Sequence, residues 1–278
     1  MTELDAWAAT MRAEGIRDRT IRERVRIVEQ AARATGASVT TLTRDGIIDW
    51  LGALPSPGTR ATYFGAVRVW CRWLRDEQLR DDDPTARLRT PRVPRRVPRP
   101  VKREHLEELL RSRVHHRARV MIHLAAYQGL RVHEIAALRG EDVDLIGHQL
   151  RVAGKGGVVA WVALHDVVAV DARDMPAIGW WFPTYPYKGR GDTHVLPGSV
   201  TSAIGRGLAR CGIRATAHQL RHFFATELLH SGVDVRVVQE LMRHATLSST
   251  QLYTLVDDEQ QRSALTKLRP VREPRRAA

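Results

Sequence analysis

At 278 residues the chain is long enough for two domains, each able to bury its own core, and its 43% hydrophobic and 27% charged content is ordinary for a globular protein. The formal net charge of +13 is carried mainly by arginine, the only lysines being Lys102, Lys155, Lys188 and Lys267, and it points to a polyanion, nucleic acid ahead of an acidic membrane surface. A charged N-terminus and the lack of a long apolar run exclude a signal peptide and a membrane span, and the absence of C-x-x-C or H-E-x-x-H spacing excludes the common metal motifs.

A GC-rich coding sequence would add to the same arginine bias. Cys71 and Cys211 lie far apart in predicted helices and read as buried free thiols of a reducing compartment. The expectation is a cytoplasmic protein with no metal, no cofactor and no membrane contact.

Residues 1–88 read as an all-helical domain. In IRDRTIRERVRIVEQAARATG six arginines surround the apolar stripe Ile21, Val25 and Val28 and face solvent or phosphate. Thr43 caps a helix carrying Ile47, Trp50, Leu51 and Leu54 at three-and-four spacing, which Leu54-Pro55-Ser56-Pro57-Gly58 breaks. A longer helix follows from about Thr59, with Phe64, Val67, Cys71 and Leu74 inward. Arg60, Arg68 and Arg72 lie off that stripe as candidate DNA contacts, although a merely solvated face has the same pattern.

Residues 89–100, RTPRVPRRVPRP, form a basic linker. Four prolines forbid a helix and favour an extended path, along which Arg92, Arg95, Arg96 and Arg99 are further candidate phosphate contacts.

A second domain spans residues 101–268, before a basic tail at 269–278. It opens with a helix over Lys102–Ser112 and a nearly all-apolar one over His116–Leu130. Arg131 follows the Gly129 turn, and Glu134 lies one turn on, placed to orient it. Alternation of Leu150, Val152, Val158, Ala160, Val162 and Leu164 predicts a hairpin over 148–165 with Lys155 at its glycine-rich tip, a candidate proton donor. The aromatics Trp180, Trp181, Phe182, Tyr185 and Tyr187 are expected mainly in the core. Ser199–Cys211 reads as a helix with Val200, Ile204 and Leu208 inward.

The run from Ala217 to Val256 carries the chemistry. His218 and Arg221 are one helical turn apart on one face, His222 follows, His244 ends a second segment and Tyr253 sits in a third. A guanidinium, imidazoles and a phenol can bind a phosphodiester, move protons and supply an oxygen nucleophile without a metal. Alone, H-x-x-R is more often a solvated helix face. DDEQQRSALTKL then predicts one more short helix.

Taken together, GLRVHEIAALR, GKGG on a hairpin, HQLRH and RHATLSSTQLYTLV resemble the boxes of the tyrosine recombinases, the family of phage integrases and Xer-type resolvases. The resemblance covers most of residues 101–260. It implies a mainly α fold with a small β-hairpin or sheet, a helical core-binding domain and an α+β catalytic domain. It implies DNA cleavage and rejoining through a 3′-phosphotyrosyl link, by an integrase of a phage or mobile element without an arm-binding domain. A Xer-type resolvase and an inactive DNA-binding protein are the alternatives. Residue by residue, Arg131 and Arg221 would clamp the scissile phosphate, Tyr253 attack it, and His218 and His244 assist, with His218 as base. Lys155 would protonate the leaving 5′ oxygen, Glu134 would support the arginine and His222 would be structural. Arg243 stands where the family usually has glycine, and it would alter the turn or add a phosphate contact. The implied partners are double-stranded DNA core sites, a homotetramer on two duplexes formed from a monomer or weak oligomer, and a directionality factor. Residues 257–268 would be a helix passed to a neighbouring subunit.

Overall fold

The computed structural model of the protein describes residues 2–94, 100–153, 159–184, 193–243 and 258–271. The chain divides into two compact units, Met1–Arg96 and Val97–Ala278, the division falling within the proline-rich stretch. Among the described residues the fold is mainly helical, with one small antiparallel sheet. Among the described residues no helix is long and apolar enough to cross a membrane.

Four helices build the first unit: α1 (Glu3–Ala13), α2 (Asp18–Thr35), α3 (Arg44–Ala53) and α4 (Pro57–Asp76). Thr43 caps α3 as predicted, its side chain accepting from the Gly46 N–H. The proline break is shorter than the sequence suggests. Ser56 caps α4 and Pro57 is its first residue, where a missing N–H costs nothing. Trp7, Ile27, Val28, Ile47, Phe64, Val67, Trp70 and Leu74 are buried together, with the Trp7 and Trp70 rings 5.0 Å apart. Burial pushes the Cys71 thiol up to about 12, which makes it inert.

The arginines of this unit divide by what they touch. Arg60 donates from Nε to the Leu54 carbonyl at 3.0 Å, tying α4 to the end of α3. Arg68 lies over the Phe64 ring at 5.3 Å, and Arg26 is paired with Glu23 at 2.7 Å. Arg72 and Arg92 are exposed. Arg95, Arg96 and Arg99 lie outside the described residues.

In the second unit α5 (Arg103–Arg111) leads to α6 (His116–Ala126), α7 (Val132–Ala136), a 3-10 turn and strands β1 (Val143–Asp144), β2 (Gln149–Ala153) and β3 (Val159–Ala163). The sheet order is β1-β2-β3, with Leu150 opposite Val162 and Val152 opposite Ala160. Helices α8 (Asp166–Ala172), α9 (Pro197–Arg210), α10 (Ala217–His230), α11 (Val235–Leu241) and α12 (Asp258–Lys267) follow. Trp181 and Phe182 are buried as expected, Trp180 is half-buried, and Tyr185 and Tyr187 lie outside the described residues. Cys211 is half-buried, one residue beyond α9.

Helix α6 is buried along its length and packs against α7, α8, α9 and α10. It ends at Ala126 rather than continuing to Leu130, because Gly129 turns the chain with φ +62° and Leu130 N–H returns to the Leu124 carbonyl. A Cβ on Gly129 would lie 2.6 Å from the Phe224 ring. Left-handed strain and overpacking together should make Gly129→Ala cost about 3 kcal/mol. Urea unfolding measures this, and a loss under about 1 kcal/mol would mean that Phe224 turns aside freely.

The C-terminal segment packs on its own chain. In α12 and beyond it, Ala264, Leu265, Leu268 and Val271 are buried, and Gln261 accepts from the Ala163 N–H of β3. Helix α12 covers its apolar face against β3, α10 and α11 of the same chain. His165 helps to hold this segment. Its Nε2 donates to the Leu268 carbonyl at 2.9 Å, and its Nδ1 accepts from the Val167 N–H at 3.1 Å. Only the neutral ring satisfies both bonds. Burial, opposed by the Leu268 bond and Asp166, holds the His165 pKa below its usual 6.5.

The unfolded chain thus binds a proton near pH 6.5 that the folded chain refuses. This part of the stability is complete above that pH, falls as the pH drops towards the lowered folded value, and then levels off. Unfolding midpoints between about pH 5 and 8 should show that acid loss, with His165→Gln flattening it. An equal slope in both proteins would remove His165 as the cause.

Candidate active site

Three arginines from three separate stretches converge on one buried carboxylate. Arg131 is the N-cap of α7, and the short helix puts Glu134 one turn later, back towards it. Glu134 accepts from the Arg131 backbone N–H at 2.7 Å and from Arg131 Nη1 at 2.9 Å. Arg243 follows α11 and reaches the same carboxylate, Nη2 to Oε2 at 2.9 Å. Arg221, from α10, approaches it at 4.0 Å.

Thr216 and Gln219 form a capping box that starts α10, so His218 falls in its first turn and Arg221 one turn on. The Arg221 side chain is 2% exposed, its Nη1 donating to the Gly129 carbonyl and its Nη2 to the Met242 carbonyl. Arg131 keeps 31% of its side chain open. His218 is exposed and stands edge-on to half-buried His222, ring centres 4.4 Å apart.

The electrostatics follow from burial against charge. Burial alone would raise the Glu134 carboxyl, but the Arg243 charge and the donors from Arg131 and Arg243 outweigh it and hold the group below the ordinary carboxylate range. Burial, then Arg131 and Arg243, works against the charged form of Arg221, with Glu134 supporting it. His218, exposed yet partly screened from water by its neighbours, is lowered by that partial desolvation and by Arg221 and Arg131, so its ring favours the neutral form that can accept a proton. His222 is lowered by burial, His218 and Arg221. Among the described residues, three guanidiniums against one carboxylate leave two positive charges uncompensated, an arrangement suited to an anion with several oxygens.

Of the residues expected from sequence, the structure brings together Arg131, Glu134 and Arg221, with His218 and His222 beside Arg221. Lys155, His244 and Tyr253 lie outside the described residues. The Arg243 side chain is 8% exposed and turned to Glu134. The carbonyls of Gly129 and Met242, which anchor Arg221, were not anticipated. Backbone acceptors carry no residue-type signal, and only the glycine of the turn hints at one of them.

A family model described as the phage integrase family matches residues 102–260. Tyrosine recombinase XerD of Vibrio vulnificus is 34% identical over 225 residues, covering 72% of this chain and 70% of that protein. Among solved structures, the integrase from mycobacterium phage Brujita is 40% identical with a TM-score of 0.58, covering 98% of this chain and 93% of that one. A lambda integrase dimer bound to a COC′ core site has a TM-score of 0.67 at 19% identity, covering 93% and 75%, a likeness of fold.

Proposed function

This chain belongs to the phage integrase family, the tyrosine recombinases, and from that premise we propose that it is a phage or mobile-element integrase working from the Arg131–Glu134–Arg221 cluster. It is a site-specific recombinase that cleaves and rejoins DNA through a 3′-phosphotyrosyl intermediate. The observation that carries the assignment of the site is the convergence of Arg131, Arg221 and Arg243 on buried Glu134, with two positive charges left over among the described residues. The integrase reading rests on 40% identity to the Brujita phage integrase across 98% of the chain. The Xer-type reading rests on 34% identity across 72%.

In this reading Arg131 and Arg221 hold the non-bridging oxygens of the scissile phosphate. Tyr253 Oη bonds to phosphorus as the bond to the 5′ oxygen breaks. The phenol proton passes to a base, His218 with help from His244, and Lys155 supplies a proton to the departing 5′ oxygen. One phosphoester bond replaces another, so rejoining draws on the stored bond and needs no ATP. His222 packs against His218. The lambda structures include a tetramer on a Holliday junction, and a tetramer on two duplexes is our proposal for this chain too, with a directionality factor, in the host cytoplasm. Arg68, Arg72 and Arg92 remain proposed DNA contacts, as do Arg95, Arg96 and Arg99. Arg60, bonded to Leu54, is a weaker one.

The test is a nicked suicide duplex whose core site has been selected from a randomised pool by binding to this protein. A covalent protein–DNA species whose tryptic DNA-linked peptide contains Tyr253 supports the reading. Specific binding with no adduct under these conditions leaves a DNA-binding protein instead.

A further inference from the structure

We propose that Arg243 is a positioning residue for recombination: its buried guanidinium holds Glu134, and through Glu134 the aim of Arg131, without meeting DNA itself. The proposal rests on the active-site reading given above.

Four observations lead there. Arg243 has φ +50°, a left-handed conformation that residues with a side chain rarely adopt, so something holds it. The guanidinium supplies that hold, with Nη2 on Glu134 at 2.9 Å and Nη1 on the Leu241 carbonyl at 2.8 Å. Its side chain is 8% exposed and turned inward to Glu134 and the Leu241 carbonyl, and its buried Nε has no hydrogen-bond partner among the described residues. Finally, the Arg243 carbonyl accepts from Arg131 Nη2 at 3.3 Å. Arg243 therefore touches Arg131 twice, once by its backbone and once through the shared carboxylate. Arg131, held by both contacts, is the open member of the cluster, with 31% of its side chain exposed.

A glycine at this position would relax the backbone and remove one of the two guanidiniums bonded to Glu134. The charged groups facing Glu134 are Arg131 at the head of α7, Arg221 from α10 and Arg243 after α11. Without Arg243, burial weighs more heavily on the carboxyl, whose pKa rises. Glu134 then takes up a proton at a higher pH, and Arg131 loses its anionic partner there.

The experiment measures single-turnover cleavage of the selected suicide duplex, at saturating protein and across pH, by wild type, Arg243→Gly, Arg243→Lys, Glu134→Gln and the Arg243→Gly/Glu134→Gln double variant. Duplex affinity is measured against salt, and thermal unfolding checks each fold. Arg243→Gly should cleave roughly 10- to 100-fold more slowly, with its acid limb moved to higher pH and both affinity and salt slope unchanged. Arg243→Lys should recover part of the rate. In the Glu134→Gln background, Arg243→Gly should add less than about threefold. Weaker binding with a salt slope reduced by about one would make Arg243 a phosphate contact and overturn the proposal. Unchanged cleavage in Arg243→Gly, or multiplicative losses in the double variant, would overturn it too. If Arg243→Gly does not fold, Arg243→Lys decides by the same pH profile and salt slope. Failure of the wild type to form any adduct would instead remove the active-site reading beneath it.

Discussion

Tyr253→Phe should bind the core-site duplex as the wild type does and form no covalent adduct. A phenol with a pKa of about 10 is mostly protonated at neutral pH and a weak nucleophile. A site with two uncompensated positive charges favours both the phenolate and the added charge on the phosphorane-like transition state. Phenylalanine keeps the ring and removes only the oxygen that becomes bonded to phosphorus, so binding and cleavage separate. Gel mobility under denaturing conditions, beside an affinity measurement, reads both. An undiminished adduct in Tyr253→Phe would place the nucleophile elsewhere.

Arg221→Lys should lower cleavage by about a hundred- to a thousand-fold, the loss typical of one preorganised contact to developing charge. Conservation of charge does not rescue this position. The guanidinium fork spans two backbone carbonyls, those of Gly129 and Met242, while facing Glu134. A lysine ammonium is a single point on a longer stem, and it cannot bridge both carbonyls and present a flat edge to a phosphate. Losing buried bonds of this charged kind should also destabilise the fold by about 3 kcal/mol. Duplex affinity should stay within a few-fold, because binding sums over many phosphates and cleavage depends on one. A variant that cleaves within about tenfold of wild type would show that charge alone suffices there.

Much of this protein could be read locally. The cap at Thr43, the stripe along α4, the alternation that pairs β2 with β3 and the one-turn spacing of His218 and Arg221 depend on neighbours within a few residues. Periodicity and capping report such features directly. Where local pattern was ambiguous, the reading failed. The β-branched run DVVAVDA gives no helical signal, yet Asp166–Ala172 is helix α8, and β1 is only two residues long. The apolar run of α6 continues past the point where Gly129 turns the chain.

The site residues themselves, Arg131, Glu134, His218 and Arg221, follow from motif spacing, because helical geometry sets which side chains share a turn. What those residues rest on does not. Glu134 and Arg243 are 109 positions apart, and Arg221 and the Gly129 carbonyl 92. Such pairs exist only once α6, α7, α10 and the end of α11 have packed, and no local rule ranks one distant partner above another. The same holds for Arg243, which by composition is one more cation on a basic chain. Packing removes its guanidinium from water and gives it a carboxylate, and burial, a property of the assembled core, turns a surface charge into part of the site.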